Sequence, residues 1–140
     1  MRHSRVGLFI HCIWATWDRL PLITETNERP IYRSIEAKCA ELGVEVIAIG
    51  GVADHVHLLI EMPATENIAH VIKEIKGVSA HLIATELTPN DFFRWQGAYA
   101  AFSVGLEDIE SVRHYILHQK EHHAAQNLIA DWEPNFDSPT

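Results

Sequence analysis

Basic residues are scarce in this 140-residue chain: 11 Lys and Arg stand against 19 Asp and Glu, a net charge of −8 with histidine neutral. That balance excludes a broad cationic surface, so any contact with nucleic acid has to be local. Cysteine is nearly absent, with only Cys12 and Cys39 and no CxxC spacing. Both fall in apolar segments and read as small buried hydrophobes rather than as a bridge or a ligand pair. No run of about 18 apolar residues is present to cross a bilayer. The N-terminal MRHSRVGLFIHCIWATWDR lacks a small-residue cleavage site after its apolar segment. The expectation is a soluble, cytoplasmic protein without a membrane partner. What the chain does have is apolar residues, 47% of the total, enough for one core. We read residues 1–130 as one domain and 131-DWEPNFDSPT-140, which has two prolines and no periodicity, as an irregular tail.

Apolar periodicity divides the domain into elements. Val6 to Trp14 is a dense run rich in β-branched and aromatic residues, as in a buried strand. Thr26 or Asn27 can cap a helix with Pro30 in its first turn; Ile31, Ile35, Cys39 and Leu42 recur at helical spacing before Gly43. Val44 to Val52 and His55 to Met62 predict a hairpin across Ala53 and Asp54. Thr65 is placed to cap a second helix with a stripe of Ile68, Ile72, Ile75, Val78 and Leu82, and Lys73 and Lys76 give that helix a small basic edge. The segment 93-FRWQGAYAAFSVG-105 reads as a fourth strand bent near Gly97, and 109-IESVRHYILHQKEHHAAQNLI-129 as a third helix. Strand, helix, strand, strand, helix, strand is the order of the α+β ferredoxin-like βαββαβ sandwich, here with an added C-terminal helix.

Two short spacings carry chemistry. In 53-ADHVHLLIEMP-63, His55 and His57 lie two apart on a strand, so both imidazoles look the same way, roughly 7 Å apart. Alone, the pair fits a metal site about as well as the wet face of a half-buried strand. In the third helix Tyr115 and Gln119 lie four apart and stack on one face. Two imidazoles and an amide oxygen make a mixed shell suited to Mg²⁺ or Mn²⁺ at a phosphate, and a nearby tyrosine can attack phosphorus to form a covalent intermediate. His114, His118, His122 and His123 are further nitrogen donors, read as solvated because none completes a recognised spacing with the strand pair. Lys73, Lys76 and Arg94 are candidate DNA contacts; Trp95 and Tyr99 suit base stacking or the core equally well. His11 is left unassigned.

The blocks 54-DHVHLLIEMP-63, 94-RWQGAYAAFSV-104 and 112-VRHYILHQKEHH-123, in this order and spacing, resemble the single-tyrosine HUH transposases of the insertion-sequence-200-like class, including their repeat-associated relatives. The resemblance covers nearly the whole chain. It implies that Tyr115 is the nucleophile and that His55, His57 and Gln119 are metal ligands. It also implies the ferredoxin-like sheet, single-stranded DNA with hairpins as substrate, and cleavage giving a 5′-phosphotyrosine and a free 3′-OH. A homodimer is implied too, with composite sites in trans, Tyr115 and Gln119 of one subunit completing the histidine pair of the other. An idle relative that binds DNA hairpins without cutting is the alternative, although all four residues it would be free to lose are present. A structural Zn²⁺ domain, with Tyr115 as packing, is more distant.

Overall fold

Strand β1 (Leu8–Ala15), helix α1 (Glu28–Glu41), strands β2 (Glu45–Val52) and β3 (His55–Met62), helix α2 (Ile68–Leu82) and strand β4 (Ala100–Val104) follow in the order read from the sequence. Helices α3 (Ile109–Leu117) and α4 (Gln119–Ala125) come after them. The computed structural model describes residues 2–134, so 135–140 of the expected tail lie outside the described residues. All strand pairs are antiparallel and the sheet order is β2-β3-β1-β4, the α+β ferredoxin-like sandwich.

Strand β3 is central, and every residue of it except Glu61 is buried. Its period-two alternation serves two layers. Val56, Leu58, Ile60 and Met62 enter the main core with Ile31, Ile35 and Cys39 of α1 and Val71, Ile72 and Ile75 of α2. His55, His57 and Leu59 face the other way, toward α3. The first helix begins and ends where expected, with Gly43 at φ 73 after its last turn, a conformation that favours glycine.

Three local expectations are corrected. The cap of α2 is Asn67, whose side chain accepts from the His70 N–H at 2.9 Å, rather than Thr65. Its buried stripe runs through Val71, Ile72, Ile75 and Ser79. Strand β4 is confined to Ala100–Val104, because Trp95 turns into the core instead of pairing. It packs edge-on against Trp14, donates from its indole to Ser79 Oγ at 2.9 Å, and touches β1 only through an isolated bridge to Thr16. The third helix is not continuous. It breaks at His118 (φ −113, ψ 27), where the ring Nδ1 lies 2.8 Å from the His114 carbonyl and competes with the backbone for that acceptor. Gln126 in the left-handed region at φ 59 then ends α4.

Helix α3 lies on the sheet of its own chain, with Val112 and Ile116 on Ala48 and Leu59. Gly50 of β2 permits that approach: a Cβ there would meet the Ile116 carbonyl oxygen at 2.2 Å. Among the described residues no helix is long and apolar enough to cross a membrane.

Candidate active site

His55 and His57 are both 0% exposed, which removes the wet-face reading of the pair. They lie under α3, α4 and the segment that follows α4. Because α3 is seated over β2 and β3, Tyr115 comes edge-on to His57, ring centroids 5.8 Å apart, and is itself buried. Gln119 survives the helix break in register with it, donating from Nε2 to the Tyr115 carbonyl at 3.3 Å while its Oε1 lies 3.4 Å from His55 Nε2. His55, His57, Tyr115 and Gln119 are thus brought together within one chain.

Each imidazole is fixed from behind. Asp54 Oδ1 sits 2.7 Å from His55 Nδ1, and Arg19 in turn holds Asp54 at 3.2 Å. His11 Nε2 lies 2.9 Å from His57 Nδ1. With both Nδ1 atoms engaged, both Nε2 atoms face the same space, the usual arrangement behind histidine metal ligands. Into that space comes a carboxylate that the sequence reading had left in the irregular tail. Glu133 Oε1 is 3.2 Å from His55 Nε2, and Oε2 is 3.1 Å from His57 Nε2. The Tyr115 hydroxyl donates to Oε2 at 2.7 Å and accepts from the Ile129 N–H at 3.0 Å. Arg19 tethers the segment by donating to the Pro134 carbonyl at 3.2 Å.

Charge in the site follows from burial and these contacts. Burial opposes ionisation of Glu133, but hydrogen bonds from His55, His57 and Tyr115 outweigh it and hold the carboxyl well below the usual carboxylate range. Burial, with the Glu133 hydrogen bond behind it, pushes the Tyr115 phenol up to about 12. Burial lowers His57 against the pull of Glu133, and burial with the neighbouring His57 lowers His11 to about 3. Burial also works against charge on His55, yet Asp54 and Glu133 prevail and raise it.

The donor set fits a divalent ion. His55 Nε2, His57 Nε2 and a Glu133 oxygen lie within 4.8 Å of one another. His57 Nε2 and Glu133 Oε1 are also buried without a hydrogen-bond partner, although Glu133 Oε1 has close ionic neighbours. Buried polar atoms left in this state are costly unless another ligand engages them.

Sequence reasoning passed over three residues here. Glu133 follows a break in periodicity, and its only outward sign is the adjoining Trp132, which packs on both Tyr115 and His11. His11 stood out as a lone imidazole in an apolar strand. His123 was one of four equivalent histidines, and only its i+4 spacing from Gln119 set it apart. The DNA candidates lie elsewhere. Lys73 and Lys76 line a groove with Gly97 and Tyr99, on the α2 side of the sheet, and Lys76 donates to the Gln96 carbonyl. Arg94 lies 4.2 Å over the Trp17 ring. Trp95 belongs to the core.

Solved structures share the fold. A candidate transposase from Deinococcus radiodurans R1 is similar with a TM-score of 0.68 at 23% identity, covering 85% of this chain and 98% of that one. A REP-associated tyrosine transposase bound to a REP hairpin is similar with a TM-score of 0.68 at 17% identity, covering 94% of this chain and 80% of that one. No curated protein matches the chain. A family model described as "Transposase IS200 like" matches residues 4–119, a span that takes in His55, His57, Tyr115 and Gln119, and the chain belongs to that family.

Proposed function

We propose that this chain cuts and rejoins single-stranded DNA at hairpin-marked ends through a covalent 5′-phosphotyrosine at Tyr115, with His55, His57 and Gln119 holding Mg²⁺ or Mn²⁺. The observation that carries this reading is the convergence of one phenol, two outward-facing Nε2 atoms and one amide oxygen on a single buried space in a member of a transposase family. A divalent ion held there would polarise the phosphodiester and offset the charge that builds on its oxygens.

The chain's own residues do the rest. Tyr115 Oη forms the bond to phosphorus as the bond to the 3′ oxygen breaks; the phenol gives up its proton and the departing oxygen takes one up, so the step conserves charge and the ester can be reversed for rejoining. Asp54 and His11 keep the two imidazoles aimed. Glu133 holds both imidazoles and the phenolic proton, contacts that a substrate phosphate requires, so bound DNA displaces it. Lys73, Lys76 and Arg94 supply local charge for the strand, and with so few cations affinity leans on base stacking, which favours unpaired DNA over duplex. The hairpin-bound relative supports a hairpin ligand. The family's homodimer with trans sites would require α3 to leave its present seat; the geometry of the single chain favours a site complete in each subunit.

The test is incubation with a pool of labelled single-stranded hairpins and Mg²⁺ or Mn²⁺. A protein–DNA adduct that resists denaturation is expected from the natural chain and none from Tyr115→Phe, which should still bind hairpins. Adduct from the Phe variant at the parental level would remove Tyr115 from the mechanism. The same assay on mixed Tyr115→Phe and His57→Ala chains, with exchange verified, separates the arrangements: recovery means sites in trans, and continued silence means sites in cis.

A further inference from the structure

Helix α4 directs a second side chain into the site beside Gln119. Gln119 and His123 are four apart and share one helical face. His123 Nε2 lies 3.2 Å from Gln119 Oε1 and 2.7 Å from Glu133 Oε1, and its ring centroid is 4.9 Å from that of His55. The other histidines of this region are turned to different tasks. His114 stacks on His118 with ring centroids 4.0 Å apart, and His122 lies against the Tyr115 ring with Nδ1 3.0 Å from Asn127 Oδ1.

The spacings are those of a coordination shell. Ligands at right angles on an ion with bonds of about 2.0–2.2 Å sit about 3 Å from one another. Around this space the donor atoms lie 3.4 Å (His55 to Gln119), 3.2 Å (Gln119 to His123), 3.2 Å (His55 to Glu133), 2.7 Å (His123 to Glu133) and 3.1 Å (His57 to Glu133) apart. His123 closes that ring of neighbours; without it Gln119 and Glu133 have only His55 between them.

We infer that His123 is a further ligand, so that His55, His57 and His123 hold the ion through three imidazoles and tilt the site away from Mg²⁺ toward Mn²⁺. The inference rests on the metal-dependent reading above and goes beyond it, because the family match ends at residue 119. Mg²⁺ demands oxygen ligands and dehydrates reluctantly, whereas imidazole suits transition ions, so each nitrogen that replaces an oxygen weakens the claim of Mg²⁺. Glu133 then fills the positions that substrate oxygens take.

Binding of Mn²⁺ and of Mg²⁺ to the full chain, measured by calorimetry without DNA, tests this together with pulsed electron paramagnetic resonance of the Mn²⁺ form, which counts coupled imidazoles. The natural chain should show three, and His123→Ala and His123→Gln two. Mn²⁺ affinity should fall by more than about tenfold in both, the lower end of what loss of a supporting group at a metal site costs, while Mg²⁺ affinity changes little. His118→Ala, which removes a surface imidazole on the same helical stretch, should behave as the natural chain. Two imidazoles in the natural chain, or unchanged Mn²⁺ affinity in both His123 variants, overturns the role of His123 and leaves the metal-dependent reading standing. No Mn²⁺ binding by the natural chain overturns both.

Discussion

The two faces of the sheet are held by different forces. Toward α1 and α2, strand β3 sends Val56, Leu58 and Ile60 into a core built from aliphatic and aromatic side chains. Toward α3, two residues along the same strand in each case, it sends His55 and His57, and the buried apolar contact shrinks to Ala48, Leu59, Val112 and Ile116. Burial itself stabilises the first face, at about 25 cal/mol per Å² of apolar surface. On the second face burial is unfavourable until each polar atom finds a partner. The chain meets that condition with His11, Asp54 and Glu133 and still leaves His57 Nε2 without a hydrogen bond. The contrast teaches that the dry face supplies the stability against which the histidine face can keep reactive atoms unsatisfied.

The largest effect expected is on the dry face. Leu58 is 0% exposed, and Leu58→Ala should cost about 2–5 kcal/mol in denaturant unfolding, the range for deleting a core leucine side chain. His57→Ala on the opposite face should cost only about 1 kcal/mol, the net worth of its hydrogen bond to His11, while removing metal affinity. Equal destabilisation by the two variants would break the division between the faces.

Gly50 tests how the second face is assembled. Its Cβ-less backbone lets the Ile116 carbonyl approach β2, and it pairs in register with His57. Gly50→Ala should push α3 off the sheet, at about 1–3 kcal/mol as for an overpacked contact. Hydrogen exchange should rise in α3 and α4, adduct formation should fall, and the α1–α2 core should stay protected. Uniform loss of protection over both faces would mean that they do not respond separately.

A smaller change, of opposite sign, is expected at Glu133. This carboxylate contributes, after burial, to raising Tyr115 to about 12 and occupies both imidazoles. Glu133→Ala should therefore speed adduct formation, by about tenfold for each pKa unit by which the phenol relaxes. Slower cleavage together with weaker Mn²⁺ binding would instead make Glu133 a working ligand.

How far these features were legible in the sequence follows the same division. Strands β1 to β3 and helices α1 and α2 could be read because the core imposes an apolar period, and Ile31, Ile35 and Cys39 display it directly. His55 with His57, and Tyr115 with Gln119, could be read because spacings of two and four fix a common face whatever the tertiary structure. Glu133 could not: its contact with Tyr115 spans 18 residues and depends on how the end of the chain folds back over α3. The break at His118 was hidden because the apolar stripe runs up to it unchanged and the cause is a local imidazole–carbonyl contact. The late start of β4 was hidden because the aromatic alternation around Trp95 looks like a strand whether its indole faces a sheet partner or Ser79.

The smallest effect concerns a histidine on the outer surface of the dry side, and it sharpens the contrast by using the same residue type. His70, in the first turn of α2, has Nδ1 2.6 Å from Glu66 and Nε2 3.3 Å from Glu74. The Glu66 hydrogen bond raises its pKa above the ordinary 6.5, and the same bond lowers Glu66 below 4.5. A raised histidine contributes stability that is fully present below its unfolded value and is lost as pH rises through the folded value. A lowered glutamate contributes stability that is present above its unfolded value and is lost as pH falls through the folded value. The pair is therefore strongest between about pH 4.5 and 6.5. A positive charge near a helix N-terminus opposes the macrodipole, so the net gain depends on the two glutamates. The contribution is small because all three groups are solvated. His70→Gln should lower the midpoint of thermal unfolding slightly at pH 5.5 and leave it unchanged at pH 9. An equal offset at both pH values would show that His70 acts through packing, as the buried histidines partly do, and that exposure does not separate the two kinds.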